Sequence, residues 1–530
     1  MLTRSVPCTG RVGDTLLTYI GRRLSMMLVI VFGASFLAYN LQAYSADPLS
    51  EFGESTAINK NYLIAKMIRD LQLDVPPPIR YFSWLRGIVA GLWGNFDMGL
   101  TRFDIPVTEV LGQAIPVTVK LVITATFLAI VFGVAVGMIT AIRQYSRFDY
   151  VITFVSFLLF SLPIFWVAVL LKEFMAIRFN DFLADPTISP TAIVVAALLF
   201  GFVVAGFVGG LRQRFLVVLF GSAAFAAAVL AYVSASGWFL QPGFGIFGVG
   251  FLALCSAAIV IQLITGLDNT KGRTAGFGTA LAVVAAYYPL QLVMSADASW
   301  LNVVALFAIT VGIGSVIGAV VSSIDRRVYI RIGFFTALIA TIPVIIDRFM
   351  SEFSNYINSD AIRGRPVPTL GQANDLLAPE QLENFWISGL DTALHLILPT
   401  IALTLISFAG YVRFSRGSLL EVLNMDYIRT ARAKGLSERT VIVRHGMRNA
   451  FLPLTTILVN DFAGLLGGAI ITEGVFAWKG MGQVFNDAVR TYDLNLFMGV
   501  FIISATLTVL ANLVADLLYG VVDPRIRIRK

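Results

Sequence analysis

The side chains that most often catalyse reactions or bind metals are scarce in this sequence of 530 residues. It contains two histidines, His395 and His445, and two cysteines, Cys8 and Cys255. These are too few for a disulfide framework, a cysteine metal site or an H-E-x-x-H zinc motif. The stretch KGRT at Lys271 lacks the strand and the glycine spacing of a phosphate-binding loop. We therefore predict no catalytic residue, no metal site and no cofactor bound by this chain.

One carboxylate stands deep within an apolar run. Asn460 and Asp461 follow Phe451, where a membrane helix is predicted to begin, by about ten residues, which corresponds to a depth of roughly 15 Å. A carboxylate at that depth is costly unless it faces water or has a partner. Asp461 would therefore either face a hydrated cavity or have a cationic partner.

A long polar and basic segment lies between apolar runs late in the sequence, reading DYIRTARAKGLSERTVIVRHGMRNAFLP from Asp426. Asp426 is predicted to cap a short helix over 427–434, which Gly435 would end in the left-handed conformation. Ser437 is predicted to cap a second helix that begins at Glu438. A helix, a turn and a second helix suit docking into a groove on a partner. The alternative is a solvated basic loop that obeys the positive-inside rule.

The composition excludes a soluble globular protein, because 57% of the residues are hydrophobic and only 13% are charged, with a mean hydropathy of +0.81. The formal net charge of +7 implies no nucleic-acid partner, since lysine and arginine in short loops orient membrane helices. Apolar runs of about twenty residues, each long enough to cross a membrane, recur about twelve times. We predict an all-α, polytopic helical membrane protein.

The runs divide the chain into three parts. N-terminal helices occupy 1–190, with an external segment over 47–113 that is long enough to form a small folded piece. A block of about six helices occupies 191–346, and C-terminal helices occupy 347–530 with a polar loop over 413–453. Basic residues follow the first, third and fifth runs of the block, so an even number of crossings keeps the polar loop in the cytoplasm. Both termini are predicted to be cytoplasmic.

Three stretches carry a resemblance to a known family: DYIRTARAKGLSERTVIVRHGMRNAFLPL, LLGGAIITEGVFAWKGMGQ and DLLYGVVDPRIR. They resemble the permease subunits of binding-protein-dependent ABC importers, in the dipeptide and oligopeptide branch. The glutamate-alanine-alanine of the family falls on Arg429, Thr430 and Ala431, so one alanine remains, as is usual for the peptide branch. The resemblance covers the N-terminal quarter and everything after about Trp386. The block over 191–346 would therefore be an insertion into a six-helix permease core.

The resemblance implies a role for the polar loop and for the helix after it. The loop would be the coupling loop, which contacts ATPase subunits. Its predicted contact residues are Tyr427, Arg429, Ala431, Ala433, Gly435, Leu436, Ser437, Val441, His445, Arg448, Asn449 and Pro453. The next helix would line the translocation path through Asn460, Asp461 and Gly464. There Asp461 would attract the amino terminus or a basic side chain of a passing peptide, or it would pair with an arginine of a second permease subunit.

The resemblance also implies partners and a location. The chain would act with a second permease subunit, with ATP-binding subunits that carry ATP and Mg, and with an extracytoplasmic solute-binding protein that faces the segment 47–113. It would lie in the lipid bilayer of a prokaryotic plasma membrane and bind no nucleic acid. It would not be an enzyme, because ATP hydrolysis would take place on the partner subunits.

Other functions remain open at this point. About twelve helices with both ends inside also describe a secondary active transporter, which would need coupling-ion sites near the membrane midplane. A membrane-embedded hydrolase would need a serine with a histidine, or a metal set, that the sequence lacks. Within the ABC importers, peptides, nickel and sugar oligomers are alternative substrates.

Overall fold

A computed structural model describes residues 16–45, 48–49, 60–208, 212–295, 298–322, 324–447, 449–451, 454, 457 and 469–522. Within these ranges the regular structure is helical, apart from one isolated bridge between Leu100 and Pro106. The helices are, in chain order, α1 (Leu16–Ser45), α2 (Lys60–Asp70), α3 (Pro77–Ala90), α4 (Val107–Ile142), α5 (Arg147–Ser161), α6 (Ile164–Leu171), α7 (Arg178–Phe182), α8 (Pro190–Val208), α9 (Arg212–Ala235), α10 (Gly245–Ile264), α11 (Thr270–Ala285), α12 (Tyr287–Val293), α13 (Trp300–Val321), α14 (Arg326–Ser351), α15 (Phe353–Ile357), α16 (Pro379–Glu383), α17 (Phe385–Leu423), α18 (Asp426–Ala433), α19 (Glu438–Thr440), α20 (Ile470–Phe476), α21 (Met481–Arg490) and α22 (Leu494–Val522). The all-α prediction is confirmed.

The helices that could cross a membrane agree with a polytopic membrane protein. In the described part of the chain, nine single spans are long and apolar enough, namely α1, α4, α8, α9, α10, α13, α14 with α15, α17 and α22. Two bent pairs pass the same test together, which gives up to eleven spans in that part. The predicted crossing 454–472 falls almost entirely outside the described residues, so the total of twelve stays a prediction.

The sharper of the two bends follows from a proline. α5 ends at Ser161, and Leu162 is extended, with φ −81° and ψ 131°. A residue that precedes proline is kept out of the helical region by the proline ring, and Pro163 follows Leu162. The chain then continues as α6, a π-helical stretch over Lys172–Ile177 and α7.

The predicted external segment contains two helices, α2 and α3. Prolines occupy the first turn of α3, where a missing backbone N–H costs no helical hydrogen bond. Tyr81 and Trp84 of α3 are buried against Tyr39 of α1. Trp93, in the 3₁₀ turn after α3, is 77% exposed. The segment is therefore anchored to the first membrane helix by buried aromatic rings.

The chain divides into two compact units. The described residues up to Val169 and from Pro399 onward form one unit, and Leu170–Leu398 form the other. In the second unit, α10, α11, α13 and α14 surround a core of small and aliphatic residues that includes Ala253, Ala280 and Ile332. The predicted insertion 191–346 lies within this second unit, and its bounds stay a prediction.

Candidate functional site

The candidate site is the segment from α18 through the π-helical stretch Val441–Met447 to Ala450. It lies within the loop 413–453 that is predicted to contact ATPase subunits, and it is called the coupling loop below. α18 begins one residue earlier than predicted, and Met425 occupies its N-cap position without a side-chain cap. The prediction that Asp426 caps this helix is therefore wrong. Asp426 is the first helical residue, and there its negative charge complements the positive end of the helix dipole.

The turn after α18 has the predicted conformation. Gly435 has φ +75°, in the left-handed region that glycine adopts without strain. Its N–H donates to the Arg432 carbonyl oxygen at 2.9 Å, which satisfies one of the last free acceptors of the helix. The Ser437 hydroxyl accepts from the Thr440 N–H at 3.4 Å, and α19 begins at Glu438, so both of these predictions are confirmed.

The two helices of the coupling loop are held together by an apolar side and by polar links. Ile428 and Ala431 of α18 bury their side chains against Val441 of the π-helical stretch. The Arg432 guanidinium donates to both carboxylate oxygens of Glu438, at 2.8 and 3.3 Å. The apolar contact is buried, whereas the ion pair between Arg432 and Glu438 lies on the exposed surface.

Six of the twelve predicted contact residues are exposed, and they form the outer surface of the coupling loop. Tyr427 and Leu436 are 41% and 40% exposed. Arg429, Ala433, Gly435 and Ser437 are exposed as well, His445 and Asn449 are half-buried, and Ala431 and Val441 are buried. The Asn449 amide donates to the Tyr427 hydroxyl at 2.7 Å. Arg448 and Pro453 lie outside the described residues, as do Asn460, Asp461 and Gly464 of the predicted path.

The base of the coupling loop rests on the ends of two membrane helices. Ala450 is buried in a cluster with Leu419 of α17 and with Met138 and Ala141 of α4. The Ser418 hydroxyl of α17 donates to the Ala450 carbonyl oxygen at 2.8 Å. Because the loop packs on both helices, a displacement of the loop would move their ends.

α4 and α17 cross with their backbones in contact. A Cβ on Gly133 would lie 2.6 Å from the Tyr411 Cβ atom. A Cβ on Gly137 would lie against the Ser415 hydroxyl and 2.5 Å from the Val412 carbonyl oxygen. Real Cβ atoms do not approach other atoms this closely, so these glycines allow the crossing.

An ion pair that sequence reasoning missed fastens α5 to α17. The Arg416 guanidinium donates from Nε and Nη2 to the two oxygens of the Asp149 carboxylate, at 2.8 and 3.0 Å. The Asp149 side chain is 3% exposed, and it also accepts from the Tyr145 N–H at 3.0 Å. The signal in the sequence was Asp149 itself, an acidic residue close to basic ones. It lies in the first turn of α5, three residues after Ser146, whose hydroxyl caps this helix. The pair connects the loop between α4 and α5 to the helix that leads into the coupling loop.

A second buried carboxylate lies at the other end of α4, in the stretch EGVFAWKGMGQ. The Thr118 hydroxyl of α4 donates to Glu473 Oε1 at 2.6 Å, and the Gln483 N–H donates to Oε2 at 2.9 Å. Burial raises the pKa of the Glu473 carboxyl, although these hydrogen bonds oppose the rise. Gly480 stands where a side chain would strike both Glu473 and Thr118. This carboxylate therefore joins α20 and the start of α21 to α4.

A third buried carboxylate, that of Asp493, lies near the end of α4 at which Glu473 also lies. Asp493, directly before α22, accepts from the Arg102 N–H at 2.7 Å and from the Leu496 N–H at 3.0 Å. Burial raises the pKa of the Asp493 carboxyl, and the N–H of Arg102 lowers it by a smaller amount. Among the described residues, no three His, Cys, Asp or Glu side chains are grouped closely enough to hold a metal ion. These carboxylates therefore position helices, and the described residues contain no group that could form a metal centre.

Comparisons with known proteins show what this chain is similar to. Residues 310–528 match the family described as binding-protein-dependent transport system inner membrane component. These residues include the coupling loop and the helices that follow it. The chain is thus a multi-pass membrane protein whose residues 310–528 resemble the inner membrane component of such transport systems.

Individual relatives sharpen the likeness. The oligopeptide transport system permease protein AppB of Bacillus subtilis is 47% identical over 132 residues, which are 25% of this chain and 42% of that protein. The dipeptide transport system permease protein DppB of Escherichia coli K12 is 49% identical over 141 residues, 27% of this chain and 42% of that protein. The oligopeptide transport system permease protein OppB of Mycobacterium tuberculosis H37Rv is 24% identical over 510 residues, 96% of this chain and 99% of that protein. The matches to AppB and DppB span less than half of those proteins. The resemblance to peptide permeases predicted from the sequence is confirmed.

Proposed function

We propose that this chain is the membrane-spanning permease subunit of an ATP-driven importer of peptides. The observation that carries the proposal is the coupling loop, whose two short helices bury their apolar side and expose a basic outer surface. Such a surface fits a groove on a partner protein. The family match over 310–528 and the names of the similar permeases support both the class and the substrate.

In this proposal the partner subunits hydrolyse ATP, and the coupling loop receives their motion. The loop would move the ends of α4 and α17, on which it packs through Ala450 and Leu419. The ion pair between Arg416 and Asp149 would carry the same motion to α5. Transmission of this kind is a shift between two states, driven by contacts that differ between them.

The proposed function also implies further partners. A second permease subunit would complete the path, and a soluble solute-binding protein would deliver substrate at the end of α4 that is remote from the coupling loop. The coupling loop and both termini would be cytoplasmic, and the chain would bind no ATP itself. Nickel and sugar oligomers are the alternative substrates, and the ligand held by the co-purifying solute-binding protein decides between them.

A crosslinking experiment tests the proposal. In a chain with Cys8→Ser and Cys255→Ala, the variant Leu436→Cys places a thiol on the outer surface of the coupling loop. The matched control Phe103→Cys places one on a 69% exposed residue just before α4, at the other end of that helix. We expect a short bifunctional reagent to link Leu436→Cys, and not Phe103→Cys, to an ATP-binding subunit.

The same complex in liposomes tests transport. We expect uptake of a labelled peptide that requires both ATP and the loaded solute-binding protein. Uptake driven by an ion gradient without ATP would contradict the proposal and favour a secondary transporter.

A further inference from the structure

A cavity of about 260 Å³ opens between the end of α1, the segment from α2 to α3 and the start of α22. Much of its wall is apolar, and it includes Leu71, Leu73, Val75 and Leu494. One cationic side chain, Arg80 of α3, lines it. A charged group in an apolar cavity requires a compensating partner.

The Arg80 guanidinium has only neutral acceptors among the described residues. Its Nε donates to the Tyr39 hydroxyl at 3.1 Å, and its Nη1 donates to the carbonyl oxygens of Leu71 and Gln72, both at 3.4 Å. Arg80 is 8% exposed, and no carboxylate in the described part of the chain pairs with it. A guanidinium has five N–H donors in a fork that matches a carboxylate, so Arg80 has donors left for an anionic ligand.

The cavity lies at the end of the first unit that is remote from the coupling loop. The Asn495 amide, which lines the cavity, donates to the Leu100 carbonyl oxygen at 2.9 Å, shortly before α4 begins. The other end of α4 packs against Leu419 and Ala450 at the base of the loop. α4 has 36 residues and is therefore about 54 Å long, which exceeds the membrane core of about 30 Å. A cytoplasmic coupling loop thus places the cavity on the side where substrate arrives.

We propose that this cavity binds the C-terminal residue of a peptide, with the terminal carboxylate on Arg80 and the last side chain against the apolar wall. This inference rests on the proposed function. The volume is below the 300–1,000 Å³ typical of sites for drug-sized ligands, so it holds about one residue and not a whole oligopeptide. An acidic side chain of a docked protein would also present a carboxylate to Arg80, but it would bring no apolar group to the wall of the cavity. The apolar lining therefore favours the peptide terminus.

The experiment compares pairs of peptides that differ only at the C-terminus, one with a free carboxylate and one with an amide. Uptake is measured at subsaturating peptide for the wild-type complex, for Arg80→Gln and for the control Arg86→Gln, an exposed arginine on the same helix. We expect Arg80→Gln to reduce uptake of the free acid by about tenfold or more, because a hydrogen-bonded charge pair is lost. Uptake of the amide should change by less than about twofold. The Arg86→Gln complex should behave as wild type.

Two outcomes would overturn the inference. An unchanged ratio of acid to amide uptake in Arg80→Gln would show that Arg80 recognises no terminal carboxylate. An equal loss for both peptides, with weaker binding of the loaded solute-binding protein, would assign the carboxylate to that protein. If Arg80→Gln fails to assemble, Arg80→Lys keeps the charge without the fork and should reduce the acid-to-amide ratio by a smaller factor.

A binding measurement separates this inference from the proposed function. A fluorescent tripeptide acid and its amide are titrated against the purified full-length chain in detergent, without ATPase subunits. We expect the acid to bind more tightly to wild type than to Arg80→Gln, and the amide to bind both equally. Absence of peptide uptake by the complete wild-type complex would contradict the proposed function, whereas equal binding of acid and amide would contradict the cavity assignment alone.

Discussion

Replacing Gly435 by alanine would test whether the turn of the coupling loop sets its affinity for a partner. No atom lies within 4 Å of the place where a Cβ would stand, so the substitution creates no clash. The cost arises only from the φ of +75°, where an L-residue is disfavoured by roughly 1–2 kcal/mol. If the docked loop requires this turn, affinity for the ATP-binding subunit should fall about 5- to 30-fold, since 1.4 kcal/mol corresponds to a factor of ten.

The control for this experiment is Gly417→Ala. Gly417 also has no atom within 4 Å of its Cβ position, but it lies inside α17 without a positive φ. Alanine is favoured over glycine there by about 1 kcal/mol, so this variant should bind and transport as well as wild type. Binding of the labelled ATP-binding subunit is measured by titration, and peptide uptake is measured in liposomes. Equal affinity and uptake for Gly435→Ala and Gly417→Ala would refute the reasoning.

Three further predictions concern the carboxylates of Asp149, Glu473 and Asp461. Arg416→Met leaves the buried Asp149 carboxylate unpaired and should lower stability by about 3 kcal/mol, seen as a reduced Tm, whereas Arg429→Met, whose pair with Asp426 is exposed, should leave the Tm unchanged. The raised pKa of Glu473 means that the folded state holds this proton more tightly than the unfolded state, so stability is gained at low pH and lost as the pH rises through the raised pKa. Glu473→Gln should flatten that part of the Tm-against-pH curve, and an unaltered slope would contradict the assignment. Asp461→Asn should reduce uptake of basic peptides more than of neutral ones if Asp461 faces the path, or impair assembly if Asp461 is paired; normal assembly with equal uptake would eliminate both.

Local signals in the sequence were enough to predict the turn between α18 and α19. Gly435 and Ser437 impose their conformations within four residues of chain, and composition alone identified the membrane helices. The position of Asp426 was predicted wrongly because aspartate is favoured both at the N-cap and in the first turn of a helix. The predicted residues of the path fall outside the described part of the chain.

The long-range contacts of the site could not be predicted in the same way. Asp149 and Arg416 are 267 positions apart, and Thr118 and Glu473 are 355 positions apart. Periodicity and capping rules describe neighbours along the chain, whereas these pairs form only after the helices pack. Their residue types were visible in the sequence, but nothing in a single sequence selects one partner from several.

The glycine crossing of α4 and α17 makes α4 a lever with unequal arms. From the crossing at Gly133 and Gly137, about seven residues or 10 Å lead to Ile142, beside the coupling loop. About 28 residues or 42 Å lead the other way to Val107. No side chain of α4 separates the two backbones at the crossing, so the crossing would act as the pivot of α4. A tilt that moves the short arm by about 1 Å would move the far tip by about 4 Å. The buried carboxylate of Asp493 accepts from the Arg102 N–H near that tip, so a small displacement of the loop arrives there as one larger than the length of a hydrogen bond.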